Sequence, residues 1–539
     1  MVQHSPRFRV KGWISDEDFK AILEVARYLG RADGYALFEI DLDKARRKGL
    51  EPSDVLARLS SIPGIPRSDL EVLERILREE LGGSVRVEYR PGGWIVVSSR
   101  VRLKEVLSDL PFQLIYDREI KAFKAKAYLY RDVVEHLRSK GLTIEDKIGL
   151  IDGGRLPREL EFKGQLRPYQ EEALDKWLSS GGRGVIALPT GSGKTVIAIA
   201  AMAKLSLQSL IVVYTKEHIF QWVEAIRRFS DAGALVGAYY SEEKAIRPIT
   251  VTTYQTAYRK LDVFAGRFPL VIFDEAHHLP ADKFRAIAMG LPAPYRMGLS
   301  ATVEREDGKH EEIFPIIGGV VYHTTPGRLT QEGYLAPFQI RRIPVELPPQ
   351  LKREYQALRR RYQLLAGRRR FEEVLEAARK GDPSAIEALR VHSQMRALIQ
   401  DNPAKVEAIV SIVKRELARG SKIIVFTQYR RQAEELARIL GANIIHGEMD
   451  ASRRKRELEE FKARESGVLV VTTVGDEGLD IPDANVGILA SGTGSRRQFL
   501  QRLGRLLRPA PGKKAVLYEV VTAGTPEELQ SRRRRGALY

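Results

Sequence analysis

The chain has 539 residues, 43% of them hydrophobic and 29% charged, and its 88 Lys and Arg outnumber 70 Asp and Glu for a formal charge of +18. That composition describes a folded protein of about three to four domains, and its positive surplus favours a polyanionic partner, nucleic acid ahead of an anionic membrane. The absence of cysteine excludes disulfides, thiolate zinc sites, cysteine nucleophiles and iron–sulfur clusters.

No apolar run approaches the ~18 residues of a membrane-spanning helix. Met1 to Gly12 is polar and basic, without the apolar segment of a signal peptide. The expected location is cytoplasmic. Residues 1–160 mix helical and strand patterns. Asp16–Leu29 reads as a helix, and Pro66–Leu81 as another, closed by Gly82-Gly83. Ser84–Tyr89, Pro91-Gly92-Gly93 and Trp94–Ser98 together read as a β-hairpin. Asp152-Gly153-Gly154 reads as a linker or turn, and no chemistry-bearing motif occurs in this part.

From about 161, short apolar runs alternate with amphipathic helices. Gly184–Leu188, Leu210–Tyr214, Ile249–Thr253, Leu270–Phe273 and Met297–Leu299 have the character of parallel strands buried on both faces. The pattern returns in Ile423–Phe426, Asn443–Ile445, Val468–Val471, Val486–Leu489 and Ala515–Val521. Two α/β domains therefore follow one another, over 161–325 and 326–539. Within the second lies an insert at about 348–401. It opens at Pro348-Pro349 and is interrupted by Asp382-Pro383. Its helical stretch Lys352–Lys380 carries ten Lys and Arg against four Glu, among them Arg368, Arg369 and Arg370. Such a basic helix is a candidate for phosphate contact; a solvated face with intrahelical ion pairs is the plainer alternative.

Leu188-Pro189-Thr190-Gly191-Ser192-Gly193-Lys194-Thr195 follows an apolar strand and precedes the helix-like run Val196–Lys204. This is the setting of a phosphate-binding loop, except that Leu188 stands where the first Gly would be. The glycines let backbone N–H groups curl around anionic oxygens at a helix N-terminus. Lys194 can reach the β- and γ-phosphates, and the Thr195 hydroxyl can bind Mg²⁺. Downstream, Val271-Ile272-Phe273-Asp274-Glu275-Ala276-His277 is an apolar strand ending in two acids. Adjacent acids at a strand end project differently and can divide the work. Asp274 would hold Mg²⁺ and Glu275 would polarise the attacking water. The four tryptophans are expected in the core.

Several stretches now resemble motifs of superfamily 2 helicases, in order. Asp274-Glu275-Ala276-His277 is similar to motif II, Ser300-Ala301-Thr302 to motif III, and Gln501-Arg502-Leu503-Gly504-Arg505-Leu506-Leu507-Arg508 to motif VI. Thr472–Pro482, with Gly478 and Asp480, resembles motif V, and Leu166-Arg167-Pro168-Tyr169-Gln170 resembles the adenine-binding Gln motif. Arg305-Glu306-Asp307 and the stretch Leu279–Arg285 resemble the xeroderma pigmentosum group B DNA helicase family in its archaeal form.

This resemblance implies two tandem RecA-like parallel-sheet domains with a thumb-like helical insert and a mixed α+β N-terminal domain that recognises distorted DNA. It implies an ATP- and Mg²⁺-dependent 3′→5′ DNA helicase or duplex translocase of excision repair, with a nuclease partner. The chain would act as a monomeric motor or as a heterodimer with that nuclease. Gln170 and Arg167 would read adenine, and Arg505 and Arg508, with Gln501, would complete the pocket across a cleft. Three residues apart on a helix, the two arginines share a face. Lys216, Thr253, Thr427 and Thr472 follow strand ends and would grip backbone phosphates, with Thr215 beside them. Arg305, Glu306 and Asp307 would contact or part the bases. An RNA helicase, or an ATP-gated clamp that holds distorted duplex and recruits a nuclease with little unwinding, remain the alternatives at this point.

Overall fold

The computed structural model describes residues 7–48, 50, 52–80, 85–99, 103–301, 309–472, 484–491, 506 and 514–535. They group into two compact units. One holds residues 1–156 together with Ala257–Leu270 and Asp282–Tyr295, and the other holds the remainder.

The first unit begins with a three-stranded antiparallel sheet of β1 (Arg7–Lys11), β2 (Ala26–Ala32) and β3 (Tyr35–Ile40), ordered β1-β3-β2. The helix expected over Asp16–Leu29 ends at Leu23. Ser15 caps it, its hydroxyl accepting from Asp18 N at 3.1 Å. Beyond Glu24 the chain turns extended because Ala26–Ala32 pairs with β3, and sheet pairing overrides local helix propensity. Phe8, Val10, Ile22, Phe38, Val55 and Leu73 form the buried core of this piece. The helix expected at Pro66–Leu81 spans Arg67–Glu80.

A second, five-stranded sheet follows: β4 (Val85–Arg90), β5 (Trp94–Ser98), β6 (Ile115–Asp117), β7 (Ala122–Lys126) and β8 (Ile144–Asp146), ordered β6-β7-β5-β4-β8. The expected hairpin is β4–β5, antiparallel with Arg90 opposite Trp94. Its tip fits against the two later segments of the same unit. Tyr89 Oη donates to Asp262 Oδ1 at 2.7 Å, and Gly92 N donates to the same oxygen at 2.9 Å. A Cβ on Gly93 would lie 2.6 Å from Gly290 Cα, so only glycine permits this approach.

In the second unit, β9 (Arg183–Ala187), β10 (Ser209–Val213), β11 (Val236–Tyr239), β12 (Ile249–Thr253), β13 (Leu270–Phe273), β14 (Tyr295–Ser300) and β15 (Val320–His323) form one sheet, ordered β11-β12-β10-β13-β14-β9-β15. The β10–β12, β11–β12, β9–β14 and β9–β15 pairs are parallel. The other sheet contains β16 (Phe338–Val345), β17 (Lys422–Thr427), β18 (Asn443–Ile445), β19 (Gly467–Thr472), β20 (Val486–Leu489) and β21 (Ala515–Thr522), ordered β16-β21-β20-β17-β19-β18 and parallel throughout. Ile423, Val425, Val468, Val470 and Ile488 pack its core. Two tandem parallel-sheet α/β lobes are thus present, as the apolar runs indicated. The edge strands β11, β15 and β16 carry weaker apolar signals, and the apolar runs do not mark them.

The insert is three helices, Pro349–Ala366, Phe371–Arg379 and Pro383–Gln400. Asp382, expected as an interruption, is the N-cap of the third, its carboxylate accepting from Ser384 N and Ala385 N. The helices bury their own apolar stripe, Tyr355, Val391, Met395 and Ile399 at one end and Ala366, Val374, Ala385 and Ala388 at the other. Their basic residues face outward for the most part. Among the described residues no helix is long and apolar enough to cross a membrane.

Candidate active site

Parallel strands deliver their following loops to one edge of a sheet, and in open α/β sheets ligands bind at that edge. Three of the sequence motifs fall there on the first lobe. The phosphate-loop residues follow β9, the acid pair follows β13, and Ser300 ends β14 between them in the strand order.

The loop Leu188–Gly193 ends in the helix Lys194–Leu205. Gly191 and Gly193 have φ of +84° and +83°, left-handed values that turn successive N–H groups inward. A Cβ at Gly193 would lie 2.4 Å from Gln170 Nε2. Lys194 Nζ donates to Leu188 O at 3.0 Å, folded back over its own loop. The Thr190 hydroxyl is buried without a hydrogen-bond partner. A curled set of amides, an ammonium with only carbonyl partners and an unpartnered buried hydroxyl are the features a phosphate chain would engage. The residues present therefore fit a nucleoside triphosphate. Thr195 lies in the first turn of that helix, and its hydroxyl and the Asp274 carboxylate are oxygen groups of the kind that Mg²⁺ takes as ligands.

Gln170 is 5% exposed, and both ends of its amide are engaged. Its Oε1 accepts from Arg167 N at 2.9 Å and its Nε2 donates to Ser192 O at 2.8 Å. Tyr169 Oη donates to the same carbonyl at 2.6 Å, and burial raises the pKa of that phenol. Arg167 Nη1 donates to Tyr334 O at 3.1 Å, with its guanidinium 5.7 Å from the Tyr334 ring. The Gln-motif residues in this arrangement tether the phosphate loop to the helix Pro168–Ser179.

The acid pair is held from several directions. Asp274 Oδ1 accepts from Glu275 N at 2.9 Å and Oδ2 from Trp222 Nε1 at 2.7 Å. Tyr254 Oη donates to the Asp274 carbonyl at 2.9 Å. Tyr254 is fully buried, and burial, then the Asp274 and Glu275 charges, push its pKa well up. Glu275 has φ of +49°, a left-handed conformation costly for a residue with a side chain and typical of functional sites. Its Oε2 lies 3.2 Å from His277 Nδ1, and that nitrogen is 3.4 Å from Ser300 Oγ. One buried imidazole thus lies between the acid pair and Ser300 at the end of β14.

The residues expected at the nucleic acid fare differently. Thr215 caps the helix Lys216–Phe229, accepting from His218 N at 3.4 Å. Lys216 Nζ pairs with Glu242 and lies 5.2 Å from the Tyr240 ring. The Thr253 hydroxyl accepts from Thr256 N at 3.2 Å. Thr427 and Thr472 are buried; the Thr427 hydroxyl donates to Gln432 Oε1. In the insert, Arg368 and Arg370 are exposed. Arg369 instead bonds Asp382 Oδ2 at 2.7 Å and the Leu365 and Ala366 carbonyls at 2.8 and 3.1 Å. Thr302, Arg305, Glu306, Asp307, Gly478, Asp480, Gln501, Arg505 and Arg508 lie outside the described residues.

Sequence reasoning missed Trp222 and Tyr254 as partners of the acid pair. It placed the tryptophans in the core. Trp177 and Trp222 are there, but Trp13 is 83% exposed. The spacing of Ile219, Trp222 and Ile226 marks a buried helix stripe, but periodicity does not say where an indole N–H points.

A phosphate loop, an acid pair and a Ser-Ala-Thr strand end on one parallel sheet, with a second parallel sheet following, define a superfamily 2 helicase. The family described as Type III restriction enzyme, res subunit, matches residues 163–305. The xeroderma pigmentosum group B helicase damage recognition domain matches 92–148, and the ERCC3/RAD25/XPB C-terminal helicase matches 386–538. The DNA 3'-5' translocase XPB2 of Sulfurisphaera tokodaii is 37% identical over 431 residues, 78% of this chain and 95% of that protein. The putative DNA 3'-5' helicase Rad25 of Halobacterium salinarum is 32% identical over 498 residues, 89% of this chain and 75% of that one. The DNA 3'-5' helicase XPB of Mycobacterium tuberculosis is 34% identical, covering 71% of this chain and 65% of its own. The chain belongs to the XPB helicase family.

Proposed function

We propose that the chain is an ATP-dependent DNA helicase and duplex translocase, moving 3′→5′ and opening DNA in excision repair. The observation that carries this reading is the acid pair, held rigidly on the sheet edge that also bears the phosphate loop, in a chain of the XPB family. Amides of residues 190–193 and Lys194 hold the phosphates. Thr195 and Asp274 hold Mg²⁺, which supplies charge neutralisation at the phosphates. Glu275 orients and polarises the attacking water, and His277 relays its state to Ser300. Gln501, Arg505 and Arg508 of the second lobe complete the pocket, where arginine groups of this kind contribute ~10³–10⁵ in rate in related NTPases. Closure around ATP and release after hydrolysis step DNA that is gripped by Lys216 and Thr253. The insert adds sequence-independent phosphate contact through Arg368 and Arg370, and Arg305, Glu306 and Asp307 act at the bases. A nuclease is the partner this activity calls for, because opened damaged DNA must be cut.

Strand displacement on 3′- and 5′-tailed DNA and RNA duplexes, with ATP hydrolysis followed in parallel, tests the reading. The expected result is displacement of DNA with a 3′ tail only. DNA-stimulated hydrolysis without displacement supports the clamp instead, and a preference for RNA duplexes overturns the DNA assignment.

A further inference from the structure

The helix Lys216–Phe229 has two ends with different surroundings. Its N-terminus, capped by Thr215, presents Lys216 at the surface, 40% exposed and paired with Glu242. Six residues on, about 9 Å along the axis, Trp222 is 2% exposed on the inner stripe with Ile219 and Ile226. Its indole N–H is a donor with no acceptor capacity, and it lies 2.7 Å from Asp274 Oδ2. The other carboxylate oxygen accepts from Glu275 N at 2.9 Å. A carboxylate offers about four lone-pair sites. These two bonds fix its rotation and leave a lone pair on each oxygen for a metal ion or its water.

We propose that Trp222 is a positioning residue that links DNA engagement to the Mg²⁺ carboxylate. The inference rests on the ATPase reading above and deepens it by naming how DNA reaches the chemistry. A backbone phosphate competes with Glu242 for Lys216 and draws on the first turn of the helix. The helix is a rigid rod, and its buried indole cannot move without moving its bond to Asp274. DNA binding therefore resets the orientation of the carboxylate that holds the ion. The nearby stack of Tyr214 on His278, with ring centroids 3.9 Å apart and 6° between planes, ties the strand end before this helix to the segment after the acid pair. Both connections join the same two strand ends, after β10 and after β13.

Outer donors of this kind set metal affinity by about 10–100-fold. Trp222→Phe keeps the ring and removes only the N–H. In the full chain, binding of a fluorescent ATP analogue is measured across a Mg²⁺ series, alongside ATP hydrolysis with and without duplex DNA. The expected result is a Mg²⁺ midpoint raised about 10–100-fold, with binding recovered at high Mg²⁺ and a smaller stimulation by DNA even there. An unmoved Mg²⁺ midpoint, with turnover and thermal stability lowered alike at every concentration, overturns the proposal and leaves Trp222 as packing alone. If the variant does not fold, the wild-type protein answers. Its four tryptophans give four indole N–H signals, assigned by Trp→Phe changes at the other three positions. Duplex DNA without nucleotide should shift the Trp222 signal, and a stationary signal overturns the link. Lys194→Ala separates the two readings, because hydrolysis left undiminished by it defeats the assignment of the phosphate loop as the ATP site, whatever Trp222 does.

Discussion

The two parallel-sheet lobes have matching frameworks and different strand ends. In the first lobe the ends of β13 and β14 carry Asp274, Glu275, His277 and Ser300, a chain of polar groups near a loop that invites phosphate. In the second, the end of β17 is closed by a neutral cluster. The Thr427 hydroxyl bonds Gln432 and lies 3.2 Å from Ser491 Oγ, which accepts from Gln428 N at 2.7 Å. Two buried charges among its described residues lie elsewhere and are matched. Lys405, fully buried, donates to Glu527 Oε1 at 2.7 Å, and Tyr518 Oη donates to Glu416 Oε1 at 2.8 Å. A parallel sheet of this kind is a scaffold, and chemistry resides in what its strand ends carry. Among the described residues, the first lobe's strand ends keep polar capacity open for a ligand, whereas the polar groups at the end of β17 bond one another.

The sharpest break of that contrast is at Glu275. Glu275→Gln removes a general base while keeping size and hydrogen bonding, so hydrolysis should fall by about 10²–10⁴ with ATP binding retained. Lys194→Ala should lower hydrolysis by about 10²–10³ and weaken ATP binding as well. Neither change touches packing, so thermal stability measured in parallel should stay near that of the wild type. Normal turnover in Glu275→Gln would remove the base assignment and with it the functional difference between the lobes.

The converse break is Lys405→Met in the second lobe. It leaves Glu527 buried without its partner, a change that costs about 3–5 kcal/mol when one half of a buried pair is lost. The double change with Glu527→Leu should recover most of that, read from denaturant unfolding. Burial holds the Lys405 pKa below its usual 10.5 despite the opposing pull of Glu527. Between the folded pKa and 10.5 the unfolded chain binds the extra proton, so this group's contribution to stability rises with pH across that window. Lys405→Met should abolish the rise. A stability curve that keeps it points to another buried base.

Much of this division was legible in the sequence. Short apolar runs flanked by helices gave both lobes, because strands buried on two faces need little else. The phosphate loop and acid pair were readable because each needs particular residues at fixed spacing beside a strand. Other features depended on tertiary partners. Asp16–Leu29 looked helical, and only pairing with β3 makes Ala26–Ala32 a strand. Trp222 had the spacing of a core residue, and its bond to Asp274 joins residues 52 apart in the chain. Tyr89 gave no signal at all, since its partner Asp262 lies 173 residues away. Burial follows from local pattern, but the direction of a buried donor is set by the fold.

The smallest effects lie in the insert, where three consecutive arginines look equivalent in sequence and are not equivalent in structure. Arg368 and Arg370 are exposed. Arg369 closes the corner between the first and third helices, through Asp382 and two carbonyls of the first helix. A phosphate contact contributes about 0.9 to the slope of log affinity against log salt on duplex DNA. Arg368→Ala with Arg370→Ala should therefore reduce that slope by up to about 1.8 while leaving the melting temperature of the protein in place. Arg369→Ala should do the reverse, lowering the melting temperature with little change in slope, because its guanidinium is already engaged. A wild-type slope in both variants would mean that the insert does not touch DNA. A slope change for Arg369→Ala as large as for its neighbours would mean that Asp382 releases it on binding, and the corner of the insert would then belong to the DNA-contact surface.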